Sequence, residues 1–208
     1  MPLNRSSEPN AAAVELVPGA VSLQTLRQLA QPGATITLDA ASRAAMQASQ
    51  ATIADIVQAD EVVYGINTGF GKLASTRIPG ERLAELQRNL VLSHSVGTGE
   101  PLAGDVVRLV LATKAVSLAR GHSGVRPELA DALIALYNAD VLPVIPAKGS
   151  VGASGDLAPL AHLACVLIGE GEALTPEGER IPGSAAMARI GLEPFVLRPK
   201  EGLALLNG

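Results

Sequence analysis

Leu23, Leu26 and Leu29 recur at helical spacing and then meet Gln31-Pro32-Gly33, which predicts a short amphipathic helix ended by a turn. Ile36 to Leu38 is a short strand candidate. Asp39 is placed to cap an Ala-rich helix running to about Gln58, with Ile53 and Ile56 on its apolar side. The pattern then breaks at Tyr64-Gly65-Ile66-Asn67-Thr68-Gly69-Phe70-Gly71, where the density of glycine predicts a loop with unusual backbone angles. Helical spacing resumes from Gly80 to about Val96 through Leu83, Leu86, Leu90 and Val91. Asp105 is placed to cap a helix through Ala119, and Pro127 suits the first turn of another that runs to Asn138. Pro143 and Pro146 interrupt the chain, and Gly149 to Gly155 forms a second glycine-rich turn. A helix from about Leu157 to Ile168 stops at Gly169. Residues 173–181 predict a small hairpin around Glu177-Gly178, and Glu201 to Gly208 begins an apolar helix. The class expected is mainly α with minor β. Residues 1–13 read as a loose terminus, 14–200 as one domain and 201–208 as the start of a further helical unit.

Composition narrows the function classes. The 208 residues suffice for one large domain or two small ones, and 48% apolar with 17% charged residues is not a disordered composition. Aromatics at 2%, with no Trp, argue against a stacking platform for single-stranded nucleic acid. A net charge of −4 without a basic run gives no pull toward phosphate backbones or anionic lipid. The apolar stretch from Val106 to Ala119 carries Arg108 and Lys114, so it does not read as a membrane span. Met1 to Asn10 lack the apolar core of a signal peptide. The single Cys165 excludes an internal disulfide framework. His162 and Cys165 lie three apart on one predicted helix, but two ligands do not make a metal site, and none is expected. A cytoplasmic protein acting on a small molecule, with no nucleic acid or membrane partner, is the expectation.

The most informative segment is Gly149-Ser150-Val151-Gly152-Ala153-Ser154-Gly155-Asp156-Leu157. One reading is a tight turn with Asp156 capping the next helix. A serine-hydrolase elbow needs G-x-S-x-G, and the residue two after Ser154 is Asp156. A phosphate loop needs a Gly-Lys-Ser or Gly-Lys-Thr that does not follow. A further reading uses the backbone itself. If the chain bends hard at Ala153-Ser154-Gly155, the Gly155 amide nitrogen can approach the Ala153 carbonyl carbon, since Gly155 has no side chain and Ala153 only a methyl. Ring closure with loss of two waters gives a five-membered imidazolone. One water takes the Ser154 hydroxyl and leaves an exocyclic methylene, an electrophile that no ordinary side chain provides.

Ala153-Ser154-Gly155 followed by Asp156-Leu157-Ala158-Pro159-Leu160-Ala161-His162 resembles the prosthetic-group signature of the aromatic amino acid ammonia-lyases. The Tyr64 to Gly71 loop, Arg120-Gly121-His122-Ser123-Gly124-Val125-Arg126 and Glu201-Gly202-Leu203-Ala204-Leu205-Leu206-Asn207-Gly208 agree with the same family, in order, from about residue 14 to the end. The resemblance implies 4-methylidene-imidazol-5-one (MIO) as the cofactor, made from Ala153, Ser154 and Gly155. It implies Tyr64 as an acid or base on the substrate and Asn207 as a neighbour of the prosthetic group. A phenol of ordinary pKa ~10 needs surroundings that favour phenolate to act as a base near neutrality. Ser93-His94 resembles the pair carried by the histidine-specific branch, where phenylalanine-specific relatives tend to carry Phe-Leu and tyrosine-specific ones His-Leu. A polar pair can hydrogen-bond an imidazole, so L-histidine is the expected substrate and trans-urocanate the product. A related lyase or aminomutase acting on another aromatic amino acid, and a non-catalytic folded fragment, remain the alternatives. Family members are longer and form homotetramers whose sites combine several subunits, with a second tyrosine, an arginine and a glutamate from later in the chain. The expectation is therefore an amino-terminal MIO-bearing domain, truncated at the start of the central helical bundle and inactive on its own. His122, His162 and Cys165 receive no catalytic role, and Lys72 and Arg126 read as solvated or structural charges.

Overall fold

The structure, a computed structural model, describes residues 13–59, 61–153 and 155–208. Apart from residue 13, the predicted loose terminus lies outside the described residues, as does Ser154.

Two helices form the centre, α4 (Gly104–Ala119) and α5 (Pro127–Asn138), and they pack along one another. Leu111, Ala115 and Leu118 on α4 and Leu129, Leu133 and Leu136 on α5 are all buried. Alanines between the leucines let the helices approach closely, and each buried leucine is worth roughly 1.5–3 kcal/mol of transfer free energy. At the end of α5 the Tyr137 hydroxyl donates to the Leu29 carbonyl at 2.6 Å, which ties in α1 (Leu23–Leu29). Asn138 clasps Ile36 from both sides: its Oδ1 accepts from the Ile36 amide at 2.8 Å and its Nδ2 donates to the Ile36 carbonyl at 3.0 Å. Ile36 belongs to β2 (Ile36–Leu38), which pairs in parallel with β1 (Val14–Leu16). Asp39 caps α2 (Ala40–Gln58) by accepting from the Ser42 amide at 2.7 Å, as the sequence predicts.

Around this centre lie α3 (Leu83–His94), β3 (Thr98–Pro101), β4 (Leu142–Pro143), β5 (Pro146–Lys148), α6 (Leu157–Leu167), β6 (Glu172–Leu174), β7 (Arg180–Pro182), α7 (Gly183–Arg189) and α8 (Glu201–Leu206). β3 pairs antiparallel with β5, and β6 stands between β4 and β7 in a three-stranded sheet. The predicted hairpin is β6–β7, and the predicted class of mainly α with minor β is what forms. α3, α6 and α8 pack against one another and bring the ends of three helices to one side of the molecule.

Several elements differ from the sequence expectation. The stretch predicted as one helix from Gly80 divides into a 3₁₀ turn, Gly80–Arg82, and α3, which stops at His94 because Ser95 adopts ψ 62°. Asp105 does not cap α4: Ala103 takes that position, and the Asp105 carboxylate turns to the Val106 amide at 2.8 Å. Pro143 and Pro146 lie within strands instead of only interrupting the chain, which two- and three-residue strands tolerate. β1, β3 and α7 carry too little apolar periodicity to be read from sequence, and tertiary pairing supplies what propensity does not.

Candidate functional site

The turn after β5 is set by three glycines with positive φ: Gly149 at 150°, Gly152 at 61° and Gly155 at 110°. Asp156 occupies the N-cap position of α6 but makes no side-chain cap hydrogen bond. Its Oδ1 instead accepts from the Ser150 hydroxyl at 2.6 Å and closes the base of the turn. Asp156 thus stands at the helix start, as expected, but its carboxylate takes the Ser150 hydroxyl in place of a helix amide.

Gly155 is the most constrained position. A Cβ there would sit 2.2 Å from the Gly208 amide nitrogen and 3.2 Å from the Asn207 carbonyl carbon. The backbone at the end of α8 therefore rests directly on the backbone of the turn. The backbone of Asn207, the C-cap of α8, lies beside Gly155.

A cavity of about 320 Å³ opens on this turn. Ala153 and Gly155 line one part of it and Ser93 and His94, from the last turn of α3, another. Its size lies at the lower end of ordinary ligand pockets, roughly 300–1,000 Å³. His94 Nδ1 lies 2.8 Å from the Leu90 carbonyl, which can only accept, so Nδ1 carries the proton. In the neutral ring Nε2 is then the acceptor. Ser93 donates its hydroxyl to the same carbonyl at 3.1 Å. The polar pair is thus fixed by its own helix at the rim of a cavity that the Ala153–Gly155 turn also lines.

The far side of Gly155 faces a second cavity, about 460 Å³, bordered by Lys114, Gly155 and Gly208. Lys114 is 4% exposed, and burial lowers its ammonium to about 8. It donates to the Ala204 carbonyl at 2.6 Å and to the Asn207 carbonyl. In the sequence this lysine stands out only as a charge within the apolar stretch from Val106 to Ala119. Its spacing from Leu111 and Leu118 on one face of α4 was the available signal that it points inward.

Tyr64 is not brought to the cavity shared by Ser93, His94 and Ala153. It is 55% exposed, with its ring edge-on to Phe70 at 5.7 Å between centroids. The loop that carries it is well built: Asn67 accepts from the Val63 amide at 2.9 Å and donates to the Glu61 carbonyl at 2.7 Å. Gly65 lies against the Leu203 side chain, one helical turn from Asn207. The loop is docked on α8, and the tyrosine ring stands outward from it.

Two further contacts join the signature segments. Arg126 forms a forked ion pair with the buried Glu201, Nε to Oε1 at 3.0 Å and NH2 to Oε2 at 2.9 Å, which links the 120–126 segment to α8. His162 on α6 accepts at Nε2 from the Gly97 amide at 3.0 Å, next to Gly149. Burial lowers the His162 pKa below 6.5, so the ring is held neutral and able to accept. Because the folded-state value lies below the unfolded one, this contribution to stability is complete above about pH 6.5 and is lost as pH falls below it. Replacing His162 with Gln should flatten that part of the stability–pH curve, as read from urea midpoints between pH 5 and 8. An unchanged slope would show that His162 does not titrate with folding.

The turn suits a ring made from residues 153–155. Gly155 holds a φ that L side chains rarely adopt and admits no Cβ, Ala153 is exposed, and both line a cavity with polar groups across from them. Among the described residues no group of three or more His, Cys, Asp or Glu side chains could hold a metal ion.

Residues 21–208 match the model of the aromatic amino acid lyase family. The chain is 72% identical over 193 residues to the histidine ammonia-lyase of Paracidovorax citrulli, covering 93% of this chain and 38% of that protein. It is 57% identical over 195 residues to that of Burkholderia lata, covering 94% and 38%. Among solved structures, the histidine ammonia-lyase of Trypanosoma cruzi superposes with a TM-score of 0.86 at 40% identity, covering 94% of this chain and 37% of that one. The phenylalanine aminomutase of Pantoea agglomerans gives 0.87 at 32%, covering 94% and 38%. The chain thus spans well under half the length of the relatives it matches.

Proposed function

The chain belongs to the aromatic amino acid lyase family, and on that premise we propose that it carries the electrophile-bearing portion of a histidine ammonia-lyase. The full-length protein would convert L-histidine to trans-urocanate and ammonia. The observation that carries this reading is a cavity lined by Ala153 and Gly155 on one side and by the Ser93-His94 pair on another. MIO, formed from Ala153, Ser154 and Gly155, would supply an electrophilic carbon that activates the substrate for loss of ammonia. The chain's own residues would do the rest. His94 Nε2 can accept a hydrogen bond from an imidazole N–H, while Ser93 offers a second polar contact. Asn207 lies beside the turn, where its amide can hydrogen-bond the group or the substrate. Tyr64 is the proposed acid or base. It would have to reach the substrate from its outward position, by movement of its loop or from a neighbouring copy.

Residues 14–200 make up the electrophile-bearing domain in this reading, and 201–208 the first turns of a helical bundle. A cytoplasmic homotetramer is part of the same proposal and rests on the family resemblance alone. Among the described residues no helix is long and apolar enough to cross a membrane.

The rival reading is another aromatic substrate or an aminomutase outcome, because the same fold carries aminomutases at TM-scores of 0.85–0.87. Fold does not choose between them. The proposed determinant of the substrate is the Ser93-His94 pair. Changing it to Phe-Leu in a protein of full family length carrying these residues should lower kcat/KM for histidine relative to phenylalanine by roughly 10–100-fold, the worth of a polar contact of about 1–3 kcal/mol. A preference that stays the same would leave the pair without a part in selectivity.

A further inference from the structure

α8 is only six residues long, yet both of its ends are held by buried side chains from other helices. At its start the Gln87 amide oxygen accepts from the Gly202 amide at 2.8 Å and the Leu203 amide at 3.3 Å, and Gln87 is fully buried. At its end Lys114 donates to the carbonyls of Ala204 and Asn207 from within the core. Those carbonyls are among the last of a helix, which have no partner inside it. A buried ammonium therefore satisfies groups that would otherwise be orphaned and complements the negative end of the helix.

The position of that helix end matters because of what it touches. The backbone of Asn207 and Gly208 lies on Gly155 with no room for a single added carbon. Lys114 also borders the cavity on that side of Gly155.

We infer that Lys114 is a positioning residue for ring formation: by holding the Asn207 carbonyl it sets the 207–208 backbone against Gly155 and fixes the position of the Gly155 backbone. This rests on the proposed function, since it concerns how the electrophile is made. The closure forms a bond from the Gly155 nitrogen to the Ala153 carbonyl carbon. The Ala153 oxygen leaves as water with the amide protons of Gly155 and Ser154. The Ser154 hydroxyl leaves as the second water with the Ser154 α-proton. No oxidant is needed. What the fold must supply is a short N-to-C approach held for long enough, an entropic demand that a fixed backbone neighbour meets. Lys114 does not touch the reacting atoms in this account. It acts through the Asn207–Gly208 backbone.

The test follows cyclisation in time. The full-length protein is made in a cell-free synthesis pulse, and the tryptic peptide Gly149–Arg180 is weighed at intervals. The wild-type peptide should become lighter by two waters, whereas Ser154→Ala should keep its sequence mass. Lys114→Met keeps much of the side-chain volume but has no donor, and should slow the loss about tenfold or more. Lys114→Arg, which keeps charge and donors, should recover a large part of the rate, a rescue that simple core filling does not predict. Circular dichroism verifies folding. If Lys114→Met does not fold, Lys114→Gln, shorter and neutral, should show the same slowing. A folded neutral variant that cyclises at the wild-type rate would overturn the inference while leaving the electrophile in place. A wild-type peptide that never loses two waters would overturn the proposed function itself.

Discussion

Replacing Ser154 with alanine in the full-length protein should lower histidine turnover by on the order of a thousandfold or more. The substitution removes the only hydroxyl within Ala153-Ser154-Gly155, the one whose loss leaves the ring methylene. Without it the site keeps its shape and its polar rim but no electrophile. Each tenfold in rate corresponds to about 1.4 kcal/mol of barrier, and the proposed hydrogen bonds from Ser93, His94 and Asn207 to substrate would not replace a covalent activator. Substrate binding should survive in the variant, because the cavity residues are untouched, so KM or a binding constant should move far less than kcat. Wild-type turnover in Ser154→Ala, measured as urocanate absorbance, would rule out the assigned electrophile.

Gly155→Ala should damage both folding and ring formation. The added methyl meets the Gly208 amide nitrogen at 2.2 Å, backbone against backbone, and the residue must hold φ at 110°. The unfavourable backbone angle alone costs roughly 1–3 kcal/mol. The steric conflict adds to it, since neither strand of backbone can step aside without moving α8 or the turn. Gly178→Ala is the matched control: its φ is 80°, and a Cβ there meets nothing within 4 Å. Urea denaturation should show the larger loss at Gly155, and only the Gly155 variant should fail to cyclise. Equal losses at the two positions would show that the contact with Gly208 yields readily.

Much of this arrangement was legible in the sequence. The helices from Leu23, Ala40, Pro127 and Leu157 follow from apolar spacing and from the residues that start and stop them. The turn at 149–155 follows from its glycines. The resemblance assigns Ser93-His94 to the substrate and Ala153 to Gly155 to the electrophile, and Ser93, His94, Ala153 and Gly155 line one cavity. What escaped was long-range. Nothing local in Gln87 or Lys114 says that the two hold opposite ends of a helix some ninety to a hundred and fifteen residues later. Asp156 illustrates the same limit: its place before α6 predicts a cap, but Ser150 offers a partner that only the folded turn brings near. Arg126, read as a solvated or structural charge, proves structural through its pairing with Glu201. Tyr64 shows the opposite case, a residue that resemblance assigns to the chemistry and that the fold of this chain leaves facing outward.

The most direct test of the central claim is the mass of the tryptic peptide Gly149–Arg180 from the full-length protein, with fragment ions read across residues 153–155. The peptide should be lighter than its sequence by two waters, with the loss located within Ala153-Ser154-Gly155 and absent from Ser154→Ala. A wild-type peptide at its unmodified sequence mass would contradict it.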